Sequence, residues 1–236
     1  QGAQGDIDVG ISKFSSDGSQ LMYSTFIGGN GIDIPQSLVV DDLGNLYILG
    51  ATGSSDFPML DKTGVQINFN GGVKPFHQAY NFSVGTDAFV ALLSADGTNL
   101  TSATYFGGTA NDGLNLGLYQ NYGDDARGEI LYEEGNVYII TNTNSDDLNL
   151  TGGYFTNNQG GQDMVIASFS EDLDVLNWGT YFGGAGDDAG YSIKKDDFGS
   201  IIIAGGTNSP NISAKINSLN PNHLGGIDGY VAKFDA

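Results

Sequence analysis

A single phrase recurs along the chain: DVGISKFSSDG from Asp8, DAFVALLSADG from Asp87, QDMVIASFSED from Gln162, and IDGYVAKFDA from Ile227 to the last residue. The first three copies run on into an aromatic segment that closes on a glycine pair: YSTFIGG to Gly29, SATYFGG to Gly108 and WGTYFGG to Gly184. The equivalent aspartates Asp8, Asp87, Asp163 and Asp228 stand 79, 76 and 65 residues apart. Repetition at this period means one supersecondary unit stacked on copies of itself, because a unit that cannot bury both its faces needs neighbours to do so. It also weights every later inference. A residue seen once per repeat belongs to the module before it belongs to a site. The units run over 6–85, 86–161 and 162–226, with a fourth starting at 227–236.

Each unit reads as four short strands. In the second they are Arg127–Tyr132, Asn136–Thr141, Asp163–Ser170 and Val175–Phe182, and the counterparts of the second strand are Asn45–Leu49 and Ser200–Ala204. DDLGN at Asp41, EEGN at Glu133 and DDFGS at Asp196 precede those β-branched runs, and SSDG at Ser15 and SADG at Ser94 divide the later pair. Acidic residues beside glycine at such points signal hairpins. Within DAFVALLS, Phe89 and Ala91 alternate with Val90 and Leu92, so both faces are apolar and both require cover. The fold class is therefore all-β, built of β-propeller blades of four antiparallel strands. The chain holds the last two strands of one blade, two whole blades and three strands of another. A closed ring takes four to eight blades, so the expectation is a partial propeller, either a segment of a larger one or a ring completed by further copies.

Composition agrees and narrows the function classes. Of 28 acidic residues 24 are Asp, which favours turns over helix surfaces, and 37 residues are Gly. A net charge of -20 argues against nucleic acid or an anionic membrane as partner. The absence of Cys removes disulfides, thiolate metal sites and thiol catalysis. No apolar run approaches the roughly 18 residues that would span a bilayer, so no direct membrane insertion is expected. An N-terminal Gln without Met suggests a processed or excised chain, which fits export.

The phrases TDAFVALLSADG, YSTFIGGNGID, DDLGNLYILGATGSSDFP and GGIDGYVAKF resemble the bacterial SBBP repeat, a module related to seven-bladed β-propellers. The resemblance covers the chain apart from its loop insertions. Three departures stand out: the long insertion Thr109–Asp125, the loss of the Asp-Gly turn at Asp172–Leu173, and TNSPN at Thr207 where the first unit has SSDFP. Such repeats are similar to segments of large secreted or cell-surface proteins, notably in Bacteroidetes-like bacteria, some exported by a dedicated outer-membrane route. The resemblance implies no enzymatic activity. It implies a non-enzymatic scaffold in a secreted or cell-surface protein, mediating adhesion or contact with protein or glycan. One alternative is a component or client of an outer-membrane secretion or gliding-motility complex. Another is a carbohydrate-active enzyme on a propeller scaffold. Further blades of a parent chain or other complex subunits would then be partners too.

Among candidate sites, the turns after the glycine pairs gather oxygen ligands. Asp33 follows in GGNGID, Asp112 in GGTANDG, and Asp187 and Asp188 in GGAGDD. Calcium takes six to eight hard oxygens, so these four aspartates, Asp187 and Asp188 first, are the candidate Ca2+ ligands, with Asp124–Asp125 after them. The structural alternative is that each Asp caps its own turn. No catalytic residue is assigned: Asp41–Asp42 and Asp196–Asp197 could pair as glycosidase carboxylates, but they recur at a hairpin turn. Aromatic residues in loops outside the repeated strands, Phe76, Tyr80 and Phe82 with Tyr119 and Tyr122, form the candidate contact surface, since loops on a rigid scaffold carry binding.

Overall fold

The computed structural model describes residues 5–59, 64–77, 80–118, 127–212 and 218–235. Among these there is no helix. Thirteen strands form four antiparallel sheets: β1 (Val9–Phe14) with β2 (Leu21–Ile27); β3 (Asp33–Val40) to β6 (Leu100–Phe106) through β4 (Leu46–Thr52) and β5 (Asp87–Leu93); β7 (Glu129–Glu133) to β10 (Leu176–Phe182) through β8 (Asn136–Thr143) and β9 (Asp163–Ser170); and β11 (Asp188–Lys195), β12 (Ile201–Thr207) and β13 (Asp228–Phe234). Each sheet is a meander whose sequence neighbours pair in order, and the first strands β3, β7 and β11 of successive sheets approach one another. The architecture is two four-stranded blades between a two-stranded and a three-stranded one, as the repeat arithmetic requires. The sheets are out of phase with the sequence units, because each recurring phrase supplies the third and fourth strands of a sheet and not its first.

Alternation along the strands divides the core into seams between sheets. Phe89, Ala91 and Leu93 pack with Val9, Ile11 and Ile27 of the preceding sheet, while Ala88, Val90 and Leu92 pack with Ile130, Val137, Ile139, Val165 and Phe169 of the following one. Beyond that, Ile140, Met164 and Ile166 meet Ile193, Ile201 and Ile203. Each fully buried Leu, Ile or Phe side chain stabilises its seam by about 1.5–3 kcal/mol. The free face of the first sheet has no such cover, and Phe26 and Phe14 are largely exposed there.

The hairpins follow from their turn residues. Asp41 Oδ1 accepts the backbone N–H groups of Leu43 and Asn45 (2.9 and 2.8 Å), and Asp196 Oδ1 accepts those of Phe198 and Ser200 (3.0 and 2.9 Å). These acidic pairs thus build turns, with Gly44 and Gly199 in the left-handed region. The departure at Asp172–Leu173 keeps the same turn: Leu173 takes the left-handed conformation (φ 58°) that Gly18 and Gly97 take elsewhere. Its N–H donates to Ser170 O as Gly97 N–H donates to Ser94 O.

Candidate functional site

Strand order puts the second-to-third-strand loops and the glycine-pair turns at one end of every sheet, and the short acidic hairpins at the other. At the glycine end the same constellation is assembled three times. An aspartate four residues past the second glycine receives that glycine's N–H: Gly29 to Asp33 (2.8 Å), Gly108 to Asp112 (2.8 Å) and Gly184 to Asp188 (2.7 Å); Asp33 and Asp188 open β3 and β11, while Asp112 stands ahead of β7 and bridges to Thr143 of β8. The same Oδ2 atoms also accept a hydroxyl, from Ser54 (2.9 Å), Ser145 (2.8 Å) and Ser209 (2.7 Å). Each serine oxygen in turn accepts a backbone N–H of the glycine turn, from Gly31, Ala110 and Gly186. The turn is closed by a third side chain: Asn30, Thr109 and Ala185 donate N–H to Asp56, Asp147 and Asn211 (2.8, 2.9 and 2.8 Å).

TNSPN is therefore no departure in chemistry. Thr207, Ser209 and Asn211 do the work of Thr52, Ser54 and Asp56, down to the threonine hydroxyl that accepts the serine N–H (3.0 and 2.9 Å). What recurs is T-x-S-x-Asp/Asn at the end of the second strand, a pattern legible in the sequence once a hydrogen-bonding role is sought for each position.

A second carboxylate completes each site. Asp8, Asp87 and Asp163, the equivalent aspartates of the recurring phrase, lie across the first glycine of the pair from Asp33, Asp112 and Asp188. A β-carbon on Gly28, Gly107 or Gly183 would overlap Oδ1 of the former and stand 2.8, 2.9 or 2.8 Å from Oδ2 of the latter. Only glycine fits between them. The separation is 25 residues in every pair, Asp8 to Asp33, Asp87 to Asp112 and Asp163 to Asp188, and this constant interval was the available signal. Asp87, Asp112, Asp163 and Asp188 are buried, as is Asp33. Burial pushes the Asp87 carboxyl up to about 7, against the Asn70 N–H that lowers it and with the charge of Asp112 adding to the rise. Burial likewise takes Asp112 to about 7, opposed by Thr143, Gly108 and Ser145, and Asp163 to about 7, with Asp188 and Asp187 raising it further. Asp33 is raised by burial too, opposed by Thr52, Gly29 and Ser54.

Of the candidate calcium ligands, Asp33, Asp112 and Asp188 thus occupy equivalent positions, one per repeat and one per seam. Asp187 stands apart, its Oδ1 accepting Gln162 N–H and its N–H donating to Asn208 Oδ1. Oδ1 of Asp33 and of Asp188 is buried without a hydrogen-bond partner, while Oδ1 of Asp112 accepts the Thr143 hydroxyl. Among the described residues no group of three or more His, Asp or Glu is placed to hold a metal ion. Asp124 and Asp125 lie outside the described residues, as do Tyr119 and Tyr122. Of the contact aromatics, Phe76 is 81% exposed and Tyr80 half-buried, but Phe82 is a core residue. It packs with Ile32, Ile34, Ala51 and Leu114, so it supports the loop from beneath and presents no surface.

Residues 23–58 match the SBBP beta-propeller repeat. The matched span runs from β2 through the glycine pair and β3–β4 to Phe57 and Pro58, and so takes in Asp33, Ser54 and Asp56 of the first constellation. It straddles a seam between sheets. No curated protein matches the chain.

Proposed function

We propose that this chain is a non-enzymatic scaffold of a secreted or cell-surface protein whose SBBP-type sheets display contact loops for protein or glycan. The observation that carries this reading is the chemistry of the loops joining second to third strands. Val73 and Phe76 after β4, Tyr154 after β8, and Leu219 and Leu224 after β12 all hold large apolar side chains in solvent. All three loops leave the same end of their sheets. Exposed apolar residues on the loops of a rigid frame support an interaction surface there, and Leu43 and Phe198 expose others on the hairpins at the opposite end. The test applies the labelled chain to a glycan array and to intact bacterial cells, beside the double variant Val73→Ser, Phe76→Ser. Binding reduced at least tenfold with an unchanged melting temperature is the expected result; equal binding by both chains would overturn this use of the loop.

A further inference from the structure

We propose that residues 64–70 and 153–159 are straps that close the outer edges of β6 and β10 against strand addition by a second copy of the chain. Sheet order leaves β6 and β10 outermost in the two four-stranded sheets, and an outer strand presents N–H and C=O groups on which another strand can build. Here such groups are engaged from within the chain. Tyr105 N–H donates to Gln66 O (2.9 Å) and Tyr181 N–H to Phe155 O (3.1 Å). Beside each, one threonine hydroxyl fastens the strap. Thr104 Oγ1 accepts Gln66 N–H (2.9 Å), and Thr180 Oγ1 accepts the N–H groups of Tyr154 and Phe155 (3.0 and 2.9 Å). Phe155 and Tyr181 pair antiparallel, as the residues of a fifth strand would.

The two straps keep one register although their sequences, GVQINFN and GYFTNNQ, share only the glycine and one asparagine. Each opens on a glycine laid against an outer-strand carbonyl: a β-carbon on Gly64 would stand 2.5 Å from Ala103 O, and one on Gly153 2.2 Å from Gly179 O. Each ends on an N–H given to a buried aspartate, Asn70 to Asp87 Oδ2 and Gln159 to Asp163 Oδ2 (both 2.7 Å). Between the ends, Val65 and Phe155 lie against the core of the central seam, and the Phe69 ring meets Tyr105 edge-on. What differs is the chain that follows. From strap end to aspartate the interval is 17 residues in one sheet and 4 in the other, so the insertion bearing Val73 and Phe76 begins only after the edge is sealed. A segment fastened at both ends and in the middle guards the edge whatever the loop beyond it displays. A second copy is the occupant to exclude, because its outer strands carry the same groups in the same register and two like edges can pair antiparallel about a two-fold axis.

The glycines are the discriminating positions, because a side chain there pushes the strap off and leaves the sheet's own residues untouched. Backbone amide exchange is to be measured on the full chain and on the double variant Gly64→Val, Gly153→Val. Tyr105 and Tyr181 N–H should exchange about a hundredfold faster in the variant, while the amides of β4 and β8 keep their rates. Light scattering on the same two chains should show the variant's mass rising with concentration beyond the parent's. Equal exchange at Tyr105 and Tyr181 in the two chains would overturn the proposal. So would a variant with both amides freed whose mass follows the parent's at every concentration, since an open edge would then recruit nothing. Should the variant lose protection in β4 and β8 and so fail to fold, Thr104→Val with Thr180→Val removes the fastening hydroxyls instead and is read by the same two measurements. The parent alone also decides: Tyr105 and Tyr181 amides exchanging as fast as those of exposed loops would overturn the proposal.

Discussion

Leu173 shows how much a single position can carry. It adopts a backbone conformation that costs a non-glycine residue about 1 kcal/mol, yet its side chain is fully buried in the seam between the second and third sheets. The room comes from Ser102 on β6, whose hydroxyl donates to Asp172 O (2.7 Å) at the same turn. One seam earlier the sizes are exchanged, with Tyr23 on β2 in the place of Ser102 and Gly97 in the place of Leu173, where a β-carbon would meet the Tyr23 ring at 2.5 Å. The turn tip and the fourth strand of the preceding sheet therefore share one volume. Leu173→Gly relieves the strain but opens a cavity, and should cost about 2–4 kcal/mol in urea unfolding. Adding Ser102→Tyr should recover about 1–2 kcal/mol of it, a coupling that a double-mutant cycle would read directly.

At the scale of the element, strand order and the alternation of apolar faces were legible because period-two patterning repeated three times leaves no competing register. DAFVALLS divides its faces between two sheets as expected, and the DDLGN and SADG turns fall where glycine and Asp placed them. The missed elements are the first strands, β3 and β11, whose sequences DIPQSLVV and DAGYSIKK carry Pro or Gly and alternate weakly. Each is a strand because its opening Asp is anchored and its neighbour β4 or β12 supplies the ladder. The carboxylate sites were half legible for a related reason. Asp33, Asp112 and Asp188 announced themselves beside glycine pairs, but their partners looked like markers of the repeat, and Ser54, Ser145 and Ser209 are unremarkable until a donor is needed. The interlock itself can be weighed. Ser209→Ala leaves the half-buried Gly186 N–H without its acceptor and removes a donor from the buried Asp188, and should cost about 1–3 kcal/mol of stability, whereas Ser209→Thr retains the hydroxyl and most of that stability.

For the whole molecule, the main contacts of each described sheet are with the sheets before and after it, so stability is a sum of sheets and seams. Hydrogen exchange should find β4, β5, β8 and β9 the slowest, since they lie inside four-stranded sheets covered on both faces, with β1–β2 and β13 the fastest. Phe169→Ala, in the central seam, should cost about 3–5 kcal/mol and raise exchange across both four-stranded sheets, while leaving the rank of β1–β2 unchanged. The seam also explains where the chain tolerates change in length. From Asp33 to Asp87, Asp112 to Asp163 and Asp188 to Asp228 the intervals are 54, 51 and 40 residues, while the interval within every carboxyl pair stays at 25. The irregularity of the repeat is thus confined to one side of a fixed clasp. A lineage drawing on this chain could lengthen, shorten or exchange its display loops without re-cutting any joint, so that novelty in what is bound and constancy in how the sheets are held are written in separate stretches of sequence.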